Sequence, residues 1–428
     1  MRKNLPLIQD TQLNNKLVLI RVDHNVVKKG SIKDPYRIDA SIPTIKHILE
    51  NGGKPILMSH IGRPRNKKTG EINISEKNSI EPVVEYLKDQ LDLKIKTPQF
   101  KKEQGLEKIA DLIDLKDLIA QLKSNLIDAI YLPNTRWFKG EEAKDKKKEI
   151  LGKELASIAD IFVNDAFGSW RPHASTYEPP KHIPGYAGLL MQKEIEHLSD
   201  IFSAEEPFLA VIAGSKFDTK IGPMTALLKK ADNLIIGGVI YNAYLCAKYD
   251  FKIEGISDEE IEAAKKFIEN ISNYSDKIIE LPFIVESDTL DEKIEGKYRT
   301  LDIGNLKKGK KLKYVLDIAK KSFETEKVKQ TILNAKTIFV NAVMGYTPNF
   351  TEGTIAFDSI LAKNEKAQKL LGGGDTLQEF KTLLPEKYQA ALQDDKYYFF
   401  TGGGTILKAI KENSAYGLEP VKILLKDR

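Results

Sequence analysis

Short runs of mainly apolar residues, without alternation of polar and apolar positions, recur along the chain, and this feature constrains its fold more than any other. Such runs have no polar face, so each predicted strand must be covered on both sides, as in a parallel sheet packed between helices. Helical patterns separate the runs, for example over 141–160 and 257–271. The runs span residues 16–22, 54–60, 127–133 and 160–165 in the first half and 207–213, 233–238, 277–285, 336–343 and 397–403 in the second. The alternation predicts an α/β fold of doubly wound, parallel-sheet units.

The chain has 428 residues, which exceeds the usual size of one domain and predicts two. A stretch rich in proline and glycine at 175–188 separates the two sets of strands, and residues 189–202 continue as an amphipathic helical pattern. We therefore predict a first domain over 1–185, a connecting helix over 186–203 and a second domain over 204–410. Residues 411–428 remain as a C-terminal segment.

The composition indicates a globular, cytoplasmic protein. No apolar stretch reaches about 18 residues and the start has no long apolar segment, so we expect neither a membrane span nor a secretory signal. The single cysteine, Cys246, cannot form an internal disulfide and is interpreted as a small buried side chain. The net charge of +5 is small for this length, so nucleic acid is not an expected partner.

Polar and charged residues follow four predicted strands of the first half. A single arginine at a strand end is ordinary, but four ends with the same chemistry are not, because arginine suits the bidentate capture of carboxylate and phosphate. In a doubly wound fold these ends lie at one edge of the sheet. The residues are Asp23, Asn25, His60, Arg63, Arg136, Asn164, Asp165, Arg171 and His173, with Arg37 nearby. They predict a cationic pocket for a small, multiply charged anion.

Glycines follow the predicted strands of the second half, within residues 210–220, 235–241, 370–376 and 399–405. One glycine pair favours only a tight turn, but four such ends followed by helices favour a nucleotide. Neither a Walker A loop nor a G-x-G-x-x-G fingerprint occurs.

Three charged residues complete this second set. Lys216 and Lys220 could neutralise phosphates, and Asp375 after the triple glycine could hold magnesium. The plainer interpretations are an exposed helix face for the two lysines and a helix N-cap for Asp375.

Several stretches together resemble the phosphoglycerate kinase family. They are RVDHN, SHIGRP, NTRWFKGEE, LASIADIFVNDAFG, RPHAST, LLMQKEIEHL, GSKFDTKIG, LDIG, MG, GGGDT and TGGG, in the family's order and over roughly residues 16 to 405. The resemblance implies two Rossmann-like domains that face a central cleft and are joined by a hinge helix. It also implies that 411–428 returns to the first domain and that the protein is a monomer.

The resemblance further implies a reversible phosphoryl transfer between 1,3-bisphosphoglycerate and ADP, with Mg²⁺, giving 3-phosphoglycerate and ATP. The implied phosphoglycerate-binding residues are Asp23, Asn25, Arg37, His60, Arg63, Arg136 and Arg171. The implied nucleotide-binding residues are Gly214, Lys216, Lys220, Gly238, Asn341, Gly372, Gly373, Gly374, Asp375 and Thr376. Arg37, Lys216 and Lys220 are the expected catalytic residues, and Asp375 is the expected metal ligand.

The chain departs from the family pattern mainly around the nucleoside. Val239 stands third in a shortened glycine triplet, and residues 340–350 contain no counterpart of the glutamate that the family uses on the ribose. Trp170 replaces a histidine before Arg171. We therefore hypothesise retained catalysis with altered or relaxed base recognition. The lysine-rich segment 305–330 is interpreted as a solvated amphipathic helix.

Two alternatives remain at this stage. One is a catalytically weak nucleotide-binding scaffold with the same fold, and the other is a kinase for a different small carboxylate. The joint presence of Arg37, Lys216, Lys220 and Asp375 favours the enzyme.

Overall fold

The computed structural model describes residues 5–101 and 104–425, and these divide into two compact units. The first unit contains the described residues up to Glu196 together with those from Tyr416 onward, and the second spans His197–Ala415. The division falls inside the helix Leu189–Phe202.

A six-stranded parallel sheet organises the first unit. The strands of this unit are β1 (Leu17–Val22), β2 (Val27–Lys28), β3 (Ser31–Ile32), β4 (Lys54–Met58), β5 (Ile95–Lys96), β6 (Ala129–Tyr131), β7 (Ile161–Asp165) and β8 (Gly185–Ala187). The sheet order is β5-β6-β4-β1-β7-β8, while β2 and β3 form a separate antiparallel pair. Every residue of the central strand β1 is buried, as its apolar sequence predicts.

Helices pack around this sheet. They are α1 (Tyr36–Glu50), α2 (Glu81–Leu91), α3 (Leu115–Lys123), α4 (Lys146–Ala156), α5 (Ala174–Tyr177) and α6 (Leu189–Phe202). The core lies between the helices and the sheet; Ile38, Ile45 and Ile48 of α1 pack in one cluster with Val18 and Ile20 of β1.

A second six-stranded parallel sheet, in the order β12-β10-β9-β17-β18-β19, organises the second unit. The strands are β9 (Phe208–Ala213), β10 (Asn233–Gly237), β11 (Lys252–Ile253), β12 (Ile278–Ile279), β13 (Phe283–Ser287), β14 (Tyr298–Asp302), β15 (Lys311–Leu312), β16 (Tyr314–Ile318), β17 (Thr337–Asn341), β18 (Gln368–Gly372) and β19 (Tyr397–Phe400). A small antiparallel sheet, β14-β13-β16, and a parallel pair, β11-β15, stand apart from it.

The remaining helices belong to the second unit, except α16, which lies in the first. They are α7 (Asp218–Leu228), α8 (Gly238–Tyr249), α9 (Asp258–Asn270), α10 (Lys320–Glu324), α11 (Glu326–Asn334), α12 (Glu352–Lys363), α13 (Gly374–Leu383), α14 (Pro385–Ala391), α15 (Gly403–Lys411) and α16 (Glu419–Lys422). Short 3-10 helices occur at Ile8–Asp10, Glu76–Asn78, Ile109–Asp111, Thr135–Trp137, Pro179–Lys181, Ser272–Lys277 and Ile303–Asn305. Among the described residues, no helix is both long and apolar enough to cross a membrane.

The two parallel sheets confirm the predicted α/β class, whereas two local predictions are wrong. The run 277–285 splits into β12 and β13, because the second part pairs antiparallel in the small sheet. The segment 305–330 is not one helix. Gly309 has a φ of +77°, a left-handed conformation that interrupts a helix. Leu312 then ends β15 and Tyr314 begins β16, with a lysine before each of them.

Candidate functional sites

A buried arginine lies at the centre of the first unit's site. Arg21 of β1 is 1% exposed, and its Nε donates a hydrogen bond of 2.8 Å to Ser175 Oγ. That hydroxyl in turn donates to Oε1 of the buried Glu141 at 2.6 Å. Sequence reasoning missed Arg21, although a lone arginine inside the apolar run 16–22 is a usable signal.

His60 lies at the end of β4 and contacts this arginine. Its Nδ1 is 3.0 Å from Arg21 Nη2. Burial, and then the charge of Arg21, lower the pKa of His60 well below its ordinary value. The imidazole is therefore neutral near pH 7, so the positive charge of this site comes from arginines and not from His60 as the sequence suggested.

Three strand ends meet around Gly62. Asn25, after β1, accepts a hydrogen bond of 2.8 Å from the Gly62 N–H through Oδ1. Arg136, after β6, donates from Nη1 to the Gly62 carbonyl at 2.5 Å, and its Nε pairs with Glu142 at 3.0 Å. The predicted residues Asn25, His60 and Arg136 thus lie at one edge of the sheet, as the carboxyl ends of parallel strands must.

Arg37 on α1 and Asp23 join the same edge. Arg37 Nη1 is 3.4 Å from Asp23 Oδ2, and the arginine side chain is 29% exposed while the aspartate is 4% exposed. The other carboxylate oxygen, Asp23 Oδ1, is buried and has no hydrogen-bond partner among the described residues. A buried acceptor of this kind is costly unless a donor reaches it.

Arg63 and Arg171 differ from the other arginines because they are exposed and form no ion pair within the described chain. Arg171 lies over the ring of Trp170, with Cζ 5.4 Å from the ring centroid. Asp165, by contrast, has a structural role at the start of α6. It is buried, its Oδ1 accepts from the Met191 N–H at 3.1 Å, and burial raises its pKa to about 6.

The second unit contains a cavity of about 300 Å³ at the carboxyl ends of its strands. The predicted residues Gly214, Gly238 and Asp375 line it. Gly238 has a φ of +63°, and a Cβ there would lie 3.3 Å from Gly214 N. The backbone at these two turns is therefore accessible to a ligand because neither carries a side chain.

Lys220 connects the parts of this site. Its Nζ donates a hydrogen bond of 2.6 Å to Asn341 Oδ1, and Asn341 Nδ2 donates to the Gly372 carbonyl. Gly373 follows with a φ of +135°, and a Cβ there would lie 2.9 Å from Thr376 Oγ1. That hydroxyl oxygen accepts from the Ala342 N–H at 3.1 Å.

Helices begin where an anion would lie. α8 begins at Gly238, α13 at Gly374 and α15 at Gly403. The first N–H groups of a helix have no partner within it and carry positive potential, which favours phosphate. The triple glycine 372–374 therefore places a helix start beside Lys220.

The two lysines have different surroundings. Burial lowers the pKa of Lys220 to about 8, and the charge of Asp375 opposes this shift. Lys216 is exposed at the loop before α7 and forms no ion pair within the described chain. Lys220 can therefore lose its charge at moderately alkaline pH.

The cavity is also lined by residues that sequence reasoning missed. Asp317, Asn242 and Tyr346 line it, together with Val315 and Leu316 of β16. LDI occurs twice in the sequence, at 301–303 and 316–318, and the second copy reaches the cavity. The first lies at the end of β14 in the small antiparallel sheet.

Asp317 is a buried carboxylate whose oxygens accept backbone N–H groups. Oδ1 accepts from Ile318 at 2.8 Å and Oδ2 from Gly353 at 3.2 Å. Burial raises its pKa to about 7. Asn242 is also buried, and its Nδ2 donates to the Val315 carbonyl at 2.8 Å.

The donors at this site suit magnesium bound with a nucleotide. No group of three or more histidine, cysteine, aspartate or glutamate residues forms a metal site within 5–101 and 104–425. Asp375 is exposed in the first turn of α13 and lines the cavity. Magnesium is typically held by one or two carboxylates together with phosphate and water oxygens. A single exposed aspartate beside the glycine turn 372–374 is therefore a suitable magnesium ligand.

Comparisons with known proteins show which family the chain resembles along nearly its whole length. A model of the phosphoglycerate kinase family matches residues 8–413. A phosphoglycerate kinase of Dictyoglomus turgidum (strain DSM 6724 / Z-1310) is 32% identical over 425 residues, which are 97% of this chain and 98% of that protein. The structure of phosphoglycerate kinase from Coxiella burnetii is 28% identical, with a TM-score of 0.74 and 98% of both chains covered. That from Pyrococcus horikoshii OT3 is 23% identical, with a TM-score of 0.77 and coverage of 98% and 99%, and is a likeness of fold alone.

Proposed function

The chain belongs to the phosphoglycerate kinase family, and from this premise we propose that it transfers a phosphoryl group reversibly between 1,3-bisphosphoglycerate and ADP with Mg²⁺. The products are 3-phosphoglycerate and ATP. The observation that carries the proposal is that the family model matches residues 8–413 of this chain. In each unit, moreover, several of the residues that the resemblance implies lie at the strand ends. We propose as well that the protein uses magnesium and that it is a monomer in the cytoplasm.

In the first unit, arginines bind the phosphoglycerate. Arg37, Arg63, Arg136 and Arg171 supply the charge that a carboxylate and a phosphate require. His60 is neutral and contributes hydrogen bonding only. Asn25 holds the turn at Gly62 and so positions the arginines on either side of it.

In the second unit, the chain binds the nucleotide phosphates. Lys220 and the N-terminus of α13 face them, and Asp375 would hold the magnesium, which supplies further neutralisation of phosphate charge when bound. Lys216 is exposed and free to contact the transferring group. Arg37 would contact that group from the acceptor side. Phosphoryl transfer needs little covalent chemistry from the protein, so positioning and charge neutralisation suffice.

A coupled assay with ATP and 3-phosphoglycerate tests this proposal. We expect turnover by the wild type and a large loss of kcat in Lys216→Ala, because an uncompensated phosphoryl charge raises the barrier. Lys229→Ala, which removes an exposed lysine at the end of α7, is the matched control and should retain full activity. A wild-type protein without turnover would overturn the proposal.

We also propose that base recognition is relaxed or altered. The cavity's nucleoside end is lined by Val239, Asn242 and Tyr346 and by the carboxylate of Asp317, which is already engaged with backbone N–H groups. We expect kcat/KM for ADP and for GDP to lie within about tenfold, a difference of about 1.4 kcal/mol. A preference for ADP of about a thousandfold would contradict relaxed recognition while leaving the reaction itself intact.

A further inference from the structure

The contact between Trp170 and Arg171 is distinctive within the first unit's site. The guanidinium Cζ lies 5.4 Å from the Trp170 ring centroid. The backbone of Arg171 is fixed as well, since its carbonyl accepts from Thr176 Oγ1 at 2.7 Å and from the His173 N–H at 2.8 Å. The loop after β7 thus anchors the arginine at both its backbone and its side chain.

Two other arginines of the site, unlike Arg171, are held by carboxylates. Arg136 pairs with Glu142 and Arg37 with Asp23, so part of their charge is compensated before any ligand binds. An aromatic face attracts a guanidinium through its quadrupole without carrying a net charge, and the in-plane N–H groups remain available as donors. The tryptophan therefore orients Arg171 and leaves its full charge for an incoming anion.

We propose that Trp170 is a positioning residue, which holds Arg171 ready to bind an anionic group of the acceptor substrate. This inference rests on the proposed function, because it assigns that substrate to the first unit. A flexible arginine loses rotamer freedom when it binds a ligand, and the aromatic contact reduces this loss in advance. Trp170 acts only through Arg171 and does not itself take part in the transfer.

Steady-state kinetics of paired substitutions test the proposal. Trp170→Leu keeps apolar bulk but removes the aromatic face, and we expect KM for 3-phosphoglycerate to rise about two- to fivefold. KM for MgATP should stay at the wild-type value. Trp170→Phe keeps an aromatic face and should remain close to the wild type. Equal KM values for 3-phosphoglycerate in the wild type, Trp170→Leu and Trp170→Phe would overturn the proposal.

A double-mutant cycle separates positioning from a general structural effect. In an Arg171→Ala background, Trp170→Leu should cause no further rise in KM for 3-phosphoglycerate. A further rise of the same size as in the wild-type background would show that Trp170 acts without Arg171 and would overturn the proposal. Thermal melting of each variant checks that the fold is retained.

A binding measurement keeps this test distinct from that of the reaction. The chain has two tryptophans, and the other one, Trp137, is 5% exposed. Titration with 3-phosphoglycerate should change the emission of the wild type and not that of Trp170→Phe. This readout needs no turnover, so a bound but inactive protein would refute the proposed function alone. No emission change in the wild type, combined with normal turnover, would refute the role of Trp170.

Discussion

At the scale of single residues, burial decides which groups of the sites carry charge. His60 is neutral because it is buried beside Arg21, whereas Lys220 keeps a proton only up to moderately alkaline pH. The sequence predicted both residues as parts of anion sites, since their types suit that chemistry. It could not predict their protonation, because that depends on neighbours brought together by the fold.

The pKa of Lys220 predicts an alkaline limit to nucleotide binding. The protonated form attracts phosphate, so kcat/KM for MgATP should fall as pH rises through about 8. The charge of Asp375 raises this pKa, so in Asp375→Asn the fall should begin at lower pH. In Lys220→Arg it should disappear from the range, because arginine stays protonated. A profile of kcat/KM for MgATP against pH checks this prediction. If the alkaline fall is unchanged in Lys220→Arg, it belongs to a group other than Lys220.

Arg21 predicts a large effect on stability. Arg21→Ala leaves the buried carboxylate of Glu141 without its positive neighbour, and breaking a buried charge arrangement costs about 3–5 kcal/mol. Urea denaturation should show this loss. Arg63→Ala is the matched control: this exposed arginine forms no ion pair within the described chain, so its removal should leave stability unchanged while raising KM for 3-phosphoglycerate. Equal stability of the two variants would contradict the structural role of Arg21.

At the scale of elements, uniform apolarity predicted most strands of the two large sheets, and the misses have physical reasons. β18 is absent from the apolar runs because Lys369 interrupts it, although the glycines within 370–376 indicated the end of a strand. Lys369 is nevertheless buried, with Nζ 3.2 Å from the Ala367 carbonyl and 4.4 Å from the centre of the Tyr397 ring. Contacts of that kind join residues from different strands, so the pattern of apolar residues along one segment cannot predict them. The same limit explains why Arg21 and Asp317 were missed.

The turn into α13 predicts a strict need for glycine. In Gly373→Ala the φ of +135° is strained, and the new Cβ would lie 2.9 Å from Thr376 Oγ1 and 3.0 Å from Asn341 Nδ2. We expect KM for MgATP to rise about tenfold or more, with KM for 3-phosphoglycerate unaffected. Gly296→Ala also has a positive φ, +76°, but open surroundings, and should leave KM for MgATP unchanged. The prediction fails if both variants behave alike in steady-state assays.

At the scale of the whole molecule, the two units divide within α6. The segment 185–188 before it is not loose: β8 pairs with β7, and a Cβ at Gly188 would lie 2.2 Å from Asp165 Oδ1. Residues 185–188 and the helix that follows them are both candidates for a hinge, and these contacts favour α6 over 185–188. If the proposed transfer joins substrates bound to different units, we predict a movement of the units that excludes water from the reacting groups.

Small-angle scattering tests this movement. With 3-phosphoglycerate and MgADP both present, a pair that cannot react, the radius of gyration should fall below that of the ligand-free protein. Each ligand alone should have a smaller effect, because one substrate contacts only one unit. A radius of gyration that is identical in all four conditions would contradict the hinge.

The last described residues return to the first unit, where Leu424 Cδ2 lies 2.9 Å from the position that a Cβ would take at Gly185. The first unit is therefore discontinuous in sequence, with all of His197–Ala415 inserted within it. During synthesis on a ribosome, residues from Tyr416 onward emerge after every residue of the second unit. Most of the first unit is thus synthesised first, yet it cannot make its contacts with the segment from Tyr416 onward until the whole second unit has been synthesised.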